Sequence, residues 1–192
     1  MTIARRKRPN RVVFVLLAAL ALAFPAVAAA QTVVTGQMTA TFDGEERTWH
    51  LLEHQSSART QTSSSMGVIE TFRGRTYSLN LQGQAEERFG VEGSLALSGM
   101  LESLDDCPCG LDLTDLIYFT SSSSMFSAIY KAIESEVSVE TIERIDEGVY
   151  SVSGSFRAVL GWIEDTRQGD ADPSRTVTVE GTFAADRVLL GE

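Results

Sequence analysis

From residue 31 onward, apolar and polar side chains alternate along most of the chain. A period of two marks a strand with one buried and one wet face, whereas a helix would need a period of 3.6. Val34, Gly36, Met38, Ala40 and Phe42 share one parity in TVVTGQMTATF, and Asp43-Gly44 then supplies a tight-turn signal. A second strand is predicted from Arg47 to Glu53. GVIETF and RTYSLNLQG read as a hairpin around Arg73-Gly74. VEGSLALSGML, VSVETIERI, VYSVSGSFRAVLGW and RTVTVEGTFAA continue the pattern. The pattern predicts an all-β chain, an antiparallel β-sandwich or barrel of about eight strands.

A short pattern recurs. VSGSFRA (152–158) and VEGTFAA (179–185) share V-x-G-[ST]-F-x-A, VTGQMTA (34–40) keeps the spacing, and VEGSLAL (91–97) keeps all but the final Ala. Glycine at the inward parity leaves room for a neighbouring aromatic ring or marks a bulge. One segment departs from the period of two. Met125, Ala128, Ile129, Ala132 and Ile133 fall at helical spacing, with Ser123 or Ser124 as a cap, so one short helix is predicted from Ser124 to Ser135. The Ser/Thr-rich stretch Gln55 to Ser65 and TRQGDADPS (166–174) read as polar surface loops.

The N-terminus has a different character. Arg5, Arg6, Lys7, Arg8 and Arg11 precede an apolar run from Val12 to Phe24, and Ala28 and Ala30 fit a small-residue cleavage site before Gln31. Residues 1–30 are expected to be a signal peptide for the Sec route, and 31–192 a single β-rich domain, periplasmic or secreted. Removing residues 1–30 takes away five cations and no anions, leaving 11 cations against 26 anions and a formal charge of −15. Such a surface repels nucleic acid and anionic lipid headgroups, so neither is an expected partner. Nor is stable membrane insertion expected once the signal is cleaved.

Two motifs could carry chemistry. His50-Leu51-Leu52-Glu53-His54 matches H-x-x-E-H and resembles the inverted zinc metallopeptidases. That resemblance implies His50 and His54 as zinc ligands, Glu53 as general base and Glu134 as the distant ligand. It requires a helix, because on a strand residues four apart lie about 13 Å from each other, too far to share one zinc. The Asp43-Gly44 turn predicts a strand here. Cys107 and Cys109, flanking Pro108, are the chain's two cysteines. In an oxidising compartment they are expected to pair, either as a structural bond, as a redox disulfide, or, when reduced, as a soft-metal site with Met100. Asp105, Asp106, Asp112 and Asp115, and again Asp165, Asp170 and Asp172, form acidic clusters that do not match the twelve-residue calcium loop.

The opening G-x-M-x-A-x-x-D-G, the YSLNL strand and the two G-[ST]-F strands resemble small secreted bacterial lipocalin-like β-sandwich domains, over most of residues 33–188. The resemblance implies a β-sandwich and no catalytic motif, and the expected helix departs from it. The reading is therefore a non-catalytic envelope binding or interaction module without a cofactor. Its partner would be a small molecule or an envelope protein, and a zinc metallopeptidase is the alternative.

Overall fold

In the computed structural model the described residues are 31–56, 59–72, 74–121, 128–167 and 169–191. The expected signal segment, and Ser123, Ser124 and Met125 of the expected helix, lie outside them. The strands are β1 (Gln31–Phe42), β2 (Glu45–Gln55), β3 (Thr60–Thr62), β4 (Ser64–Thr71), β5 (Gly74–Gly83) and β6 (Leu95–Leu101). They continue with β7 (Cys109–Gly110), β8 (Asp112–Phe119), β9 (Ile129–Asp146), β10 (Val149–Ile163) and β11 (Asp172–Gly191). All eleven pair into one sheet. Its neighbours are antiparallel except where the end of β11 runs parallel to β4.

The sheet closes on itself, because β11 bonds to β10 along one edge and to β1 and then β4 along the other. Towards one end the wall runs β11–β1–β2–β5, since the backbones of His50 and Gln84 exchange two hydrogen bonds of 2.8 Å. Towards the other end β1 and β2 leave the wall and β11 meets β4 directly, from Leu189↔Ser65 to Gly191↔Gly67. Ser63 sits at the fork. Its N–H donates to Leu52 O (2.8 Å), its hydroxyl accepts from Leu52 N–H (2.6 Å), and its carbonyl accepts from Gln82 N–H (2.7 Å). A buried backbone must satisfy its polar groups, so small polar residues suit this position. Ser63 and Ser64 are accordingly 7% and 0% exposed. The expected surface loop from Gln55 to Ser65 is thus corrected in its second half, which is strand.

Inside the ring glycine and alanine stand beside bulky side chains of the neighbouring strands. Val139, Gly154, Phe183, Met38 and Trp49 are successive register partners across β9, β10, β11, β1 and β2. Val137, Phe156, Gly181, Ala40 and Arg47 form a second such row across the same strands. The two V-x-G-[ST]-F copies are therefore antiparallel neighbours in which each Phe lies opposite the other copy's Gly. Met38, Trp49, Leu51, Met66, Leu79, Leu97, Leu116, Val139, Leu160 and Phe183 belong to one core cluster, and each is at most 2% exposed. The barrel interior is filled by side chains, as in small barrels generally.

Three expectations change. The helix over Ser124–Ser135 is not formed from Ile129 onward, where the chain enters β9. Tyr130 and Ala132 pack on the core while Ile133 lies against Gly161 on the other face. Apolar residues on both faces of a strand that bulges between its partners Val159 and Leu160 reproduce helical spacing without a helix. The fourth copy of the recurrence is not a copy in space, because β6 begins only at Leu95 and Gly93 occupies a turn with φ 71°. Finally, β3, β7 and β8 are strands beyond the eight expected. At the β1–β2 turn, Asp43 and Gly44 adopt φ 51° and 83°, as the turn signal requires.

The tight rows make a specific demand. A Cβ on Gly181 would run into Thr39 O and Ala40 Cβ, whereas one on Gly90 would meet nothing within 4 Å. Gly181→Ala is expected to cost about 1–3 kcal/mol, the usual cost of overpacking a filled site. Gly90→Ala should change stability by less than about 0.5 kcal/mol. Urea unfolding of both variants measures the difference.

Candidate functional site

The HLLEH segment lies within β2, so its residues follow strand geometry. His50 pairs with Gln37 and bridges to Gln84, and the ring of His54 shares a 2.9 Å hydrogen bond with the Thr32 hydroxyl. Glu134 is an exposed residue of β9, opposite Val159. It stands four strands from β2 in either direction around the ring, on the order of 20 Å along the sheet. The structure therefore does not gather His50, His54 and Glu134. Among the described residues no three His, Cys, Asp or Glu side chains cluster as a metal site would need.

Glu53 has a different role. It is only 1% exposed, because it points into the fork where β1 and β2 leave β11. Arg187 Nε of β11 donates to Glu53 Oε2 at 3.1 Å, and Gln55 Nε2 donates to Oε1 at 2.6 Å. A buried carboxylate needs such partners, since an unpaired charge in a core is strongly unfavourable. Nothing in the local sequence around Glu53 indicates Arg187, which lies 134 residues away.

The structure joins Cys107 and Cys109 by a disulfide, with Cα atoms 4.5 Å apart. Both are half-buried against the core, and Cys109 pairs with Val139 of β9, so the bond sits where the loop after β6 rejoins the wall. Met100 lies on β6 opposite Asp112. Asp115, Asp165 and Asp172 of the acidic clusters have side-chain partners. Asp115 pairs with Lys131 at 3.3 Å, and Asp172 accepts from Ser174 N–H and hydroxyl at 2.8 and 2.7 Å. The Arg167 guanidinium and backbone N–H bond the Asp165 carboxylate, and these contacts lower its pKa to about 2. Its stabilising effect is present above the usual carboxylate range and is lost as pH falls towards 2.

A broad concavity lies on the outside of the barrel. A shallow groove of about 930 Å³ lies over the outer face of β9, β10, β11 and the end of β1. Its floor is polar by register. Ser138, Ser155 and Thr182 line it as partners across β9, β10 and β11, and the same row continues beyond the groove through Thr39 of β1 and Thr48 of β2. Two residues along each strand runs a second row, Glu136, Arg157, Glu180, Thr41 and Glu46. Adjacent groups in a row are spaced by the strand separation, about 4.8 Å, and the rows by about 6.7 Å. Arg157 and Glu180 make an exposed ion pair of 3.8 Å, so the groove carries both signs of charge.

No family model, curated protein or solved structure matches the chain. The groove's own chemistry is what points to a function. The hydroxyl row was partly visible in the sequence as the [ST] of V-x-G-[ST]-F, but its continuity across five strands follows only from register.

The two ion pairs differ in worth. Arg187→Ala leaves a buried carboxylate without its cation, an expected loss of about 1–3 kcal/mol. Arg157→Ala breaks a solvent-screened pair and should cost less than about 1 kcal/mol. Thermal or urea unfolding of the single variants checks the order, and equal losses would contradict the role given to Glu53.

Proposed function

We propose that the protein is an exported, non-catalytic binding module of the cell envelope, and that it binds through its outer groove rather than its lumen. The observation that carries this reading is the hydroxyl row on the groove floor, combined with an interior already filled by side chains. Lipocalin-type barrels hold a ligand inside. Here Trp49, Met38 and Phe183 occupy that space. The resemblance to lipocalin-like domains thus bears on the wall of the barrel and not on an internal ligand.

Export is supported by the cationic, apolar and small-residue order of residues 1–30 and by the acidic remainder. A water-facing role is supported by the outer rows of Ser, Thr and charged side chains. They are the reverse of the apolar outer band of a transmembrane barrel. The groove suits an extended, uncharged, hydroxyl-rich ligand, a neutral glycan chain of the envelope. Regularly spaced hydroxyls can both donate and accept, and a body of charge −15 disfavours polyanions. Phe156, the aromatic residue of its lining, is only 3% exposed and belongs to the core, so the groove offers no stacking platform and is expected to bind weakly, with Kd in the range of about 0.1–10 mM.

The test is an amide chemical-shift titration of the exported protein, whose first residue should be Gln31, with a panel of neutral linear oligosaccharides. Shifts confined to Ser138, Ser155, Thr178 and Thr182 and their neighbours, abolished by Thr182→Lys, are the expected result. An intact N-terminus in the membrane fraction would overturn the export reading. Shifts elsewhere, or none with any member of the panel, would overturn the groove.

A further inference from the structure

We propose that a cavity at the barrel end holding the β4–β5 and β9–β10 turns is a second binding site, whose ligand is a small zwitterion of the α-amino acid class. The cavity holds about 360 Å³, a volume in the range of small-ligand sites. None of its lining residues belongs to the outer groove.

Floor and rim come from one strand parity. Residues two apart share a face of a strand. Along β5 the core-facing positions run Leu81, Leu79, Tyr77 and then Arg75. Along β10 they run Val152 and then Tyr150, with Arg144 of β9 as the partner of Tyr150. The core is thus continued by two phenols and then by two guanidiniums. Tyr77, Leu104, Ile142 and Tyr150 are half-buried against the core and form the floor.

The rim carries both signs of charge, and part of it is unpaired. Arg75 is bonded to Glu70 at 2.8 Å. Arg144 donates through Nε to Asp146 O at 3.3 Å and forms no ion pair among the described residues. Glu102 and Asp105 line the same cavity and likewise form none. Opposite charges that share a cavity without bonding each other are the complement of a ligand that carries both. The Arg144 guanidinium can hold a carboxylate through two parallel N–H groups. Glu102 and Asp105 can accept from an ammonium, and Leu104 and Ile142 offer a surface to one apolar side chain. Net charge points the same way. A body of charge −15 repels an anion, and a cation would meet Arg75 and Arg144, whereas a zwitterion is neutral as a whole.

An amide chemical-shift titration of the exported protein with L-leucine, to about 20 mM, tests the site. The comparison ligands are isocaproate, which lacks the ammonium, and isoamylamine, which lacks the carboxylate. Both keep leucine's apolar body. Leucine is expected to give saturating shifts at Ser103, Asp105, Arg144 and Tyr150 with a Kd of about 0.5–5 mM, and each half-ligand to bind at least about tenfold more weakly. Arg144→Gln should weaken leucine at least about tenfold with an unchanged melting temperature, because the side chain is exposed. Arg88→Gln, in an exposed pair with Glu86 away from the cavity, should leave binding as it is. No saturable shift with leucine, shifts confined to the outer groove, a half-ligand that binds as tightly as leucine, or unchanged binding by the Arg144 variant would overturn the site.

Discussion

The contact on which the rest of the barrel depends is the one between a glycine and a ring on adjacent strands. Gly154 lies opposite Phe183, and a Cβ there would meet the Ser138 carbonyl of β9 and stand 2.6 Å from the ring's Cζ. Phe156 lies opposite Gly181 in the same ladder. A flat sheet with large residues at every inward position cannot close into a small ring. Removing the Cβ at one inward site on each of the two strands lets them coil tightly, and the neighbouring ring refills the space. Because both strands carry V-x-G-[ST]-F-x-A, antiparallel pairing in one register satisfies every position together: Val152 with Ala185, Gly154 with Phe183, Phe156 with Gly181, Ala158 with Val179. A slip by one residue would turn both rings to water.

From that seam the other features follow. β11 is held on one side by β10 over nearly its whole length, and its other edge is divided between β1 and β4. The division creates the fork. At the fork Ser63 satisfies three backbone or hydroxyl bonds, and Glu53, drawn inward, meets Arg187. Polar groups are buried where strand pairing changes hands, and those of Ser63 and Glu53 are bonded, while the buried Ser64 hydroxyl has no partner. The binding surface we propose lies outside for the same reason: the ring is filled by side chains, while the same register that stacks Val139, Gly154 and Phe183 within the wall lines up Ser138, Ser155 and Thr182 on its outside.

The alternation was enough to read the all-β class, the Asp43-Gly44 hairpin and most of the long strands, because one buried face imposes a period of two. It failed where both faces of a strand carry apolar residues. Ile129 is buried and Ala132 faces the core, while Ile133 lies over Gly161 on the outer face and stays 43% exposed, and that two-faced pattern imitates a helix. It failed at Ser63 and Ser64, whose burial is dictated by backbone bonding and not by side-chain hydropathy. The HLLEH spacing was legible, but its meaning depends on the element that holds it, and β2 spreads along a strand what a helix would gather. The partnership of Glu53 with Arg187 and the five-strand hydroxyl row are products of register between distant segments, which no local pattern encodes.

The pairing of the two V-x-G-[ST]-F copies is most directly tested by a double-mutant cycle on Gly154 and Phe183. Gly154→Ala and Phe183→Ala are each made alone and together, and stability is measured by urea unfolding. With the ring gone, the added methyl at 154 has one neighbour fewer to displace. The double variant should then be more stable than the sum of the single losses by about 1 kcal/mol or more. Additivity within about 0.5 kcal/mol would mean that the ring and the glycine are not in contact, and the closure described here would be wrong.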